Sequence, residues 1–130
     1  MTRRRIATTD APGAVGPYSQ AIDSGDLVFC AGQVGLDPAT GVLVEGGVAA
    51  ETVRALRNVG AVLDAAGLGF GDVVKTTCFL VDIGEFTAFN EAYAPFFPDP
   101  PPARSTVGIA ALPRSARVEI EVIAKRPAGA

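Results

Sequence analysis

Histidine is absent from the 130 residues. Without an imidazole, Ser-His-Asp systems, HExxH zinc sites and imidazole acid–base catalysis are all excluded. Cysteine is nearly absent, with only Cys30 and Cys78. Two thiols build neither a zinc cluster nor a disulfide scaffold. Both sit in apolar, strand-like runs, Val28-Phe29-Cys30-Ala31 and Thr77-Cys78-Phe79-Leu80. No local cation or helix start activates either one, so both read as buried reduced thiols of a cytoplasmic protein. Charge is also scarce. Charged residues make up 19% of the chain, the net charge is −3, and no basic stripe is present. That balance argues against nucleic acid as a partner. No apolar run approaches the roughly 18 residues of a membrane span, so no membrane is expected as a partner. Met1-Thr2-Arg3-Arg4-Arg5-Ile6 leads into Ala7-Thr8-Thr9-Asp10, which lacks the apolar core of a secretory signal.

What is present suits one folded domain over residues 1–130: 48% hydrophobic residues, no linker and no repeat. The segment Ile22 to Ala31 suggests two short strands around a Ser24-Gly25-Asp26 turn. Asp37-Pro38-Ala39-Thr40-Gly41 is a second turn cluster. Residues 48–66 carry a helical stripe of Val48, Thr52, Ala55, Leu56, Val59, Val62, Leu63 and Ala66. Glu51, Arg54, Asn58 and Asp64 are expected largely on other faces, and Gly67 fits a helix C-terminal cap. Residues 72–81 read as a central strand, with Val73, Thr77, Phe79 and Val81 on one face and Val74, Thr76, Cys78 and Leu80 on the other.

A second helix is expected from Asp82, with Glu85 as a capping-box partner and Phe86, Phe89, Tyr93 and Phe96 or Phe97 as its buried stripe. Pro95 should end or kink it. Pro98-Asp99-Pro100-Pro101-Pro102 forms a stiff connector. Strands are expected over residues 104–111 and 117–125, the latter alternating Val118, Ile120, Val122 and Ala124 with Arg117, Glu119, Glu121, Ile123 and Lys125. The order is that of an α+β fold with a sheet of five to six strands. Two helices cover one sheet face only. The other face, also apolar, needs cover; a second copy of the chain is the expected cover, the alternative being a weakly polar face left to solvent.

The candidate chemistry lies in Gly16-Pro17-Tyr18-Ser19-Gln20, Gly32-Gln33, Pro102-Ala103-Arg104-Ser105 and Val118-Glu119-Ile120-Glu121. Arg104 opens a strand after a rigid approach. A fixed guanidinium fork suits a carboxylate ligand or an internal salt bridge equally well. Glu119 and Glu121 are either solvated edge carboxylates or a site pair near Arg104. Tyr18 follows Gly-Pro, a turn setting. Gly32 within a strand marks a bulge or a close approach.

Taken together, Gly16-Pro-Tyr-Ser-Gln-Ala21, Gly32-Gln33, Asp72-Val-Val-Lys-Thr-Thr77, the Phe86…Asn90…Tyr93…Phe97 spacing, Pro102-Ala-Arg-Ser105 and Val118-Glu-Ile-Glu121 resemble the Rid (YjgF-like) family of imine/enamine deaminases over about residues 5–126. The resemblance implies a chorismate mutase-like α+β fold, a mixed sheet with two helices on one face, and a homotrimer with sites between subunits. It implies hydrolysis of 2-imino acids or their enamines to 2-oxo acids and ammonia, a reaction of metabolite damage control. No metal or organic cofactor is expected. The expected ligand is a small 2-imino or 2-oxo acid.

Carried over by position, Arg104 is the carboxylate anchor and Glu119 positions the water. Tyr18 lines the pocket, Gly32 and Thr106 offer backbone groups, and Asn90, a substrate-binding candidate, matches a helix position of the family. Ala31 stands where relatives often carry Ser, Thr106 where some carry Cys, and Pro101 where an aromatic is common. With Pro95, these departures bear on the substrate side chain more than on the anchor. Two other functions compete: a non-catalytic small-ligand binder or regulatory trimer using the same cleft, and a ribonuclease or translation inhibitor. The acidic balance and the missing histidine weigh against the last.

Overall fold

The alternation in the last strand organises the molecule. Val118, Ile120, Val122 and Ala124 are buried on one side of it, and Glu119, Glu121 and Ile123 face the other. The structure, a computed structural model, describes residues 3–128. Its elements are β1 (Arg4–Ile6), β2 (Ala21–Asp23), β3 (Leu27–Gln33), α1 (Gly47–Ala65), β4 (Val73–Leu80), α2 (Phe86–Tyr93), β5 (Ala103–Gly108) and β6 (Val118–Lys125). They form an α+β fold with one mixed six-stranded sheet, ordered β1-β2-β3-β6-β4-β5. Neighbours are antiparallel except β4 and β5.

Because β6 slots between β3 and β4, those two strands run parallel to each other. The crossovers β3–α1–β4 and β4–α2–β5 therefore step in the same direction across the sheet. Parallel crossovers share one hand, so both helices land on one face. There α1 and α2 pack on each other and close the core over Val28, Cys30, Cys78, Leu80, Ile120 and Val122. The opposite sheet face has no helix, and Phe29 and Val107 stand exposed on it.

Most local expectations hold. The hairpin of β2 and β3 turns at 24–26, Gly67 adopts φ +76° just after α1, and α2 stops at Tyr93, two residues before Pro95. The start of α2 differs. Asp82 accepts the Gly84 N–H (2.8 Å) and opens a 3-10 turn, Ile83–Glu85, before the α-helix. Glu85 reaches Arg117 rather than closing a capping box.

Four packing expectations are corrected. A register shift between Val73 and Lys75 reverses the parity of β4, so Val73 faces the core with Thr76, Cys78 and Leu80. Glu51 and Asn58 turn inward and are buried, because each has backbone groups to bond there. Glu51 accepts the Arg117 N–H (2.8 Å), and Asn58 donates to the carbonyls of Val34 (3.1 Å) and Leu36 (2.9 Å). Phe86 lies outside the buried stripe of Phe89, Tyr93 and Phe97. The strand expected over 104–111 ends at Gly108.

β1 was not expected from the sequence. Asp23 secures it. The buried carboxylate accepts from Arg4 (2.9 Å), Arg126 (2.6 Å) and the Gly25 N–H (2.9 Å). The Gly25 N–H, then Arg126, hold its pKa down at about 2.

Candidate active site

The sheet assigns the candidate residues to two faces. Arg104 pairs with Thr76 across the parallel ladder, and Thr106 pairs with Cys78. Thr76 and Cys78 point to the helix side, so Arg104 and Thr106 do too. Glu119 pairs with Phe79, on the uncovered face. In one protomer the guanidinium and the carboxylate therefore lie on opposite sides of the sheet.

Two clefts follow from this arrangement. The first, about 520 Å³, holds Arg104 with Asn90, Tyr93, Phe97, Asp99 and Pro102. The guanidinium carbon lies 4.9 Å from the Tyr93 ring centroid, 5.5 Å from Phe86 and 5.6 Å from Phe89. Among the described residues no carboxylate forms an ion pair with it. The salt-bridge alternative for Arg104 thus finds no partner there. Asn90 Oδ1 and Thr106 Oγ1 are buried without a hydrogen-bond partner among the described residues. A buried oxygen with no donor is costly unless a ligand or water supplies one.

The second cleft, about 510 Å³, holds Tyr18, Gly32, Gln33, Arg114 and Glu119. Gly32 lies in a β-bulge, where β3 shifts register against β6 between Cys30 and Gln33. It also makes a close approach, because a Cβ there would lie 2.7 Å from Glu119 Cδ. Both readings of this glycine are observed at once. Partial burial, and secondarily the charge of Glu121, raise the pKa of Glu119. A carboxyl so shifted exchanges protons closer to neutrality than an ordinary glutamate.

Tyr18 sits in an irregular segment, 52% exposed, with its hydroxyl accepting the Val15 N–H (3.3 Å). That segment is held from below by the buried Gln20. Its Nε2 donates to the carbonyls of Thr8 (3.0 Å) and Pro12 (2.8 Å), and its Oε1 accepts the Thr8 N–H (2.7 Å). Lys75 donates to Thr76 O (3.0 Å) and Ser105 Oγ (3.2 Å), tying β4 to the edge strand. Burial drives Cys30 up to about 12 and Cys78 up to about 11, so neither is a thiolate near neutrality.

Sequence reasoning did not assign functional roles to Tyr93, Gln20, Glu51 or Asn58. Tyr93 and Gln20 stood inside quoted motifs. The inward turn of Glu51 and Asn58 had no local signal. Among the described residues no three His, Cys, Asp or Glu side chains are grouped as metal ligands would be, and no helix is long and apolar enough to cross a membrane.

A family model described as Endoribonuclease L-PSP matches residues 8–126. The 2-iminobutanoate/2-iminopropanoate deaminase of Mus musculus is 52% identical over 124 residues, which are 95% of this chain and 92% of that protein. The crystal structure of E. coli TdcF with bound serine superposes with a TM-score of 0.91 at 42% identity, covering 95% of this chain and 99% of that one. RidA from an Antarctic Psychrobacter superposes at 0.92 with 42% identity, covering 95% and 100%.

Proposed function

The chain belongs to the Endoribonuclease L-PSP family, the YjgF-like Rid proteins, and from that membership we propose that it hydrolyses 2-imino acids, or their enamine tautomers, to 2-oxo acids and ammonia. The observation that carries this reading is Arg104, a guanidinium that no carboxylate ion-pairs among the described residues, although Asp99 lines the same cleft. A fork left without an anion suits the carboxylate of a small 2-imino acid. The name of the mouse relative, at 52% identity, supports the same reaction.

The active unit is a homotrimer with its sites between copies. Arg104 and Glu119 face opposite sides of one sheet, so a site using both takes them from different copies. The uncovered sheet face, with Phe29 and Val107 exposed, gives those copies an apolar surface to pack on. One copy supplies Arg104, Thr106 and Asn90. Its neighbour supplies Tyr18, Gly32 and Glu119.

The chemistry needs no strong nucleophile, because a protonated imine carbon is already electrophilic. Arg104 holds the carboxylate and fixes C2. Water adds to C2 while its proton passes to Glu119. Glu119 returns that proton to the nitrogen of the carbinolamine. The C–N bond then breaks, its electron pair leaving with ammonia, while the hydroxyl proton passes to Glu119 as C=O forms and from Glu119 to the ammonia. Iminium plus water gives 2-oxo acid plus ammonium, so the step balances. The raised pKa of Glu119 suits a group that accepts and returns one proton.

The test generates short-lived imines with an amino-acid oxidase and follows their decay with and without the protein. Wild type should accelerate decay. Arg104→Ala should lose roughly 30- to several-thousand-fold in kcat/KM, the cost of removing one partner of a buried charge pair. Glu119→Ala should lower kcat more than ligand affinity. Full activity of Arg104→Ala would remove the anchor. A second reading, a non-catalytic ligand-binding trimer, draws on the serine bound to TdcF. It predicts 2-oxo acid binding with no acceleration in the same assay.

A further inference from the structure

Among the described residues no ion pair holds Arg104, although Asp99 lines its cleft, and what packs against its guanidinium is a set of rings. The ladder places Arg104 opposite Thr76. Thr76 Oγ1 meets the Tyr93 hydroxyl at 2.8 Å, and both side chains are buried. Tyr93 is wedged between Phe89 and Phe97, with ring centroids 5.4 Å and 4.6 Å away. Its face lies 4.9 Å from the guanidinium carbon. The chain of contacts closes on itself: strand register sets Thr76, Thr76 sets the Tyr93 ring, and the ring sets the guanidinium that the same register delivered.

Aromatic faces attract a guanidinium through the ring quadrupole. They use none of its N–H donors in the plane of the fork, and they do not neutralise it. A carboxylate partner does both. The contrast is within this molecule: Arg4 and Arg126 are spent on Asp23. Arg104 is packed on rings instead and makes no ion pair among the described residues, so its charge is left for a ligand.

We propose that Tyr93 is a positioning residue, which through its ring and the Thr76 hydrogen bond fixes the Arg104 guanidinium for carboxylate binding without an ion pair. The proposal rests on Arg104 being the carboxylate anchor. Phe86 and Phe89 complete the cage, and Phe86, at 39% exposure, is its open side.

The test is a double-mutant cycle on the full-length oligomer, read as the Kd of 2-oxobutanoate by calorimetry. Tyr93→Leu should weaken binding about 5- to 30-fold, the range of a desolvated cation–ring contact. Tyr93→Phe keeps the ring but loses the Thr76 hydrogen bond, and should cost less than Tyr93→Leu, about two- to fivefold. With oxidase-generated imine, Tyr93→Leu should raise KM by more than it lowers kcat. In the Arg104→Ala background, Tyr93→Leu should cost less than about twofold, because the group it positions is gone. Wild-type affinity in Tyr93→Leu, or an equal loss in both backgrounds, overturns the proposal. If Arg104→Ala alone leaves affinity intact, the anchor reading fails first, and the cycle shows that separately. Tyr93 is buried, so circular dichroism and size-exclusion chromatography accompany each variant. Where Tyr93→Leu does not assemble, Phe86→Leu takes its place in the same cycle. It is expected to cost about two- to fivefold, again only when Arg104 is present, and no loss there overturns the cage.

Discussion

Gly32→Ala isolates the placement of Glu119. The backbone at Gly32 is outside the left-handed region, so alanine is conformationally acceptable there. The obstacle is the Glu119 side chain. An added Cβ would lie 2.7 Å from its Cδ and 2.9 Å from its Cγ. Carbon atoms in contact sit about 3.5–4.0 Å apart, so the carboxyl must retreat by roughly 1 Å. Glu119 is only half-buried and can swing, so the fold should survive with a loss of about 1–3 kcal/mol at most. Catalysis should suffer more, because a misplacement of about 1 Å at a reacting group costs on the order of 100-fold. The coupled oxidase assay should therefore show kcat reduced by about 30- to 100-fold with the affinity for 2-oxobutanoate nearly unchanged. The control is the Glu119→Ala background, where the space is vacant. There Gly32→Ala should cost less than about twofold. An unchanged kcat in Gly32→Ala, or the same factor lost again in the double variant, refutes the role given to this contact.

Three further outcomes follow. Glu121→Gln removes the charge that helps burial raise the Glu119 pKa, so the acid limb of the kcat–pH profile should move to lower pH; a fixed limb separates the two carboxylates. Cys30 and Cys78, raised to about 12 and 11, should resist Ellman's reagent at pH 8 in the native protein and react fully in guanidinium; prompt native labelling contradicts their burial. Asp23 has its pKa lowered from 3.8 to about 2, so its contribution to stability is complete above the unfolded value and is lost as pH falls through about 2. Asp23→Asn should flatten that acid loss in urea titrations, and an identical pH profile would count against the Arg4–Asp23–Arg126 cluster.

Local order decided how much of the site was readable beforehand. Arg104 announced itself because prolines fix its approach, and Gly32 because a glycine inside a strand needs a reason. Tyr93 looked like one more apolar residue in a helical stripe, since its hydroxyl partner Thr76 is 17 residues away and on another element. Glu51 and Asn58 looked solvent-facing because periodicity ranks side chains by polarity. Their partners are the Arg117 N–H and the carbonyls of Val34 and Leu36. The parity of β4 failed at Val73 because a bulge adds one residue, and a period of two has no memory across it.

From its residues alone this chain declared its helices, every strand but β1, most of its core and the motifs of its family, since those depend on spacing along a few neighbouring positions. The sheet order did not follow from spacing. The insertion of β6 between β3 and β4 came from pairing among strands far apart in the chain. That pairing put Arg104 under the helices and Glu119 on the bare face. Only folding in three dimensions separates two such groups by the thickness of a sheet, because side-chain direction is local but the face it opens onto is not.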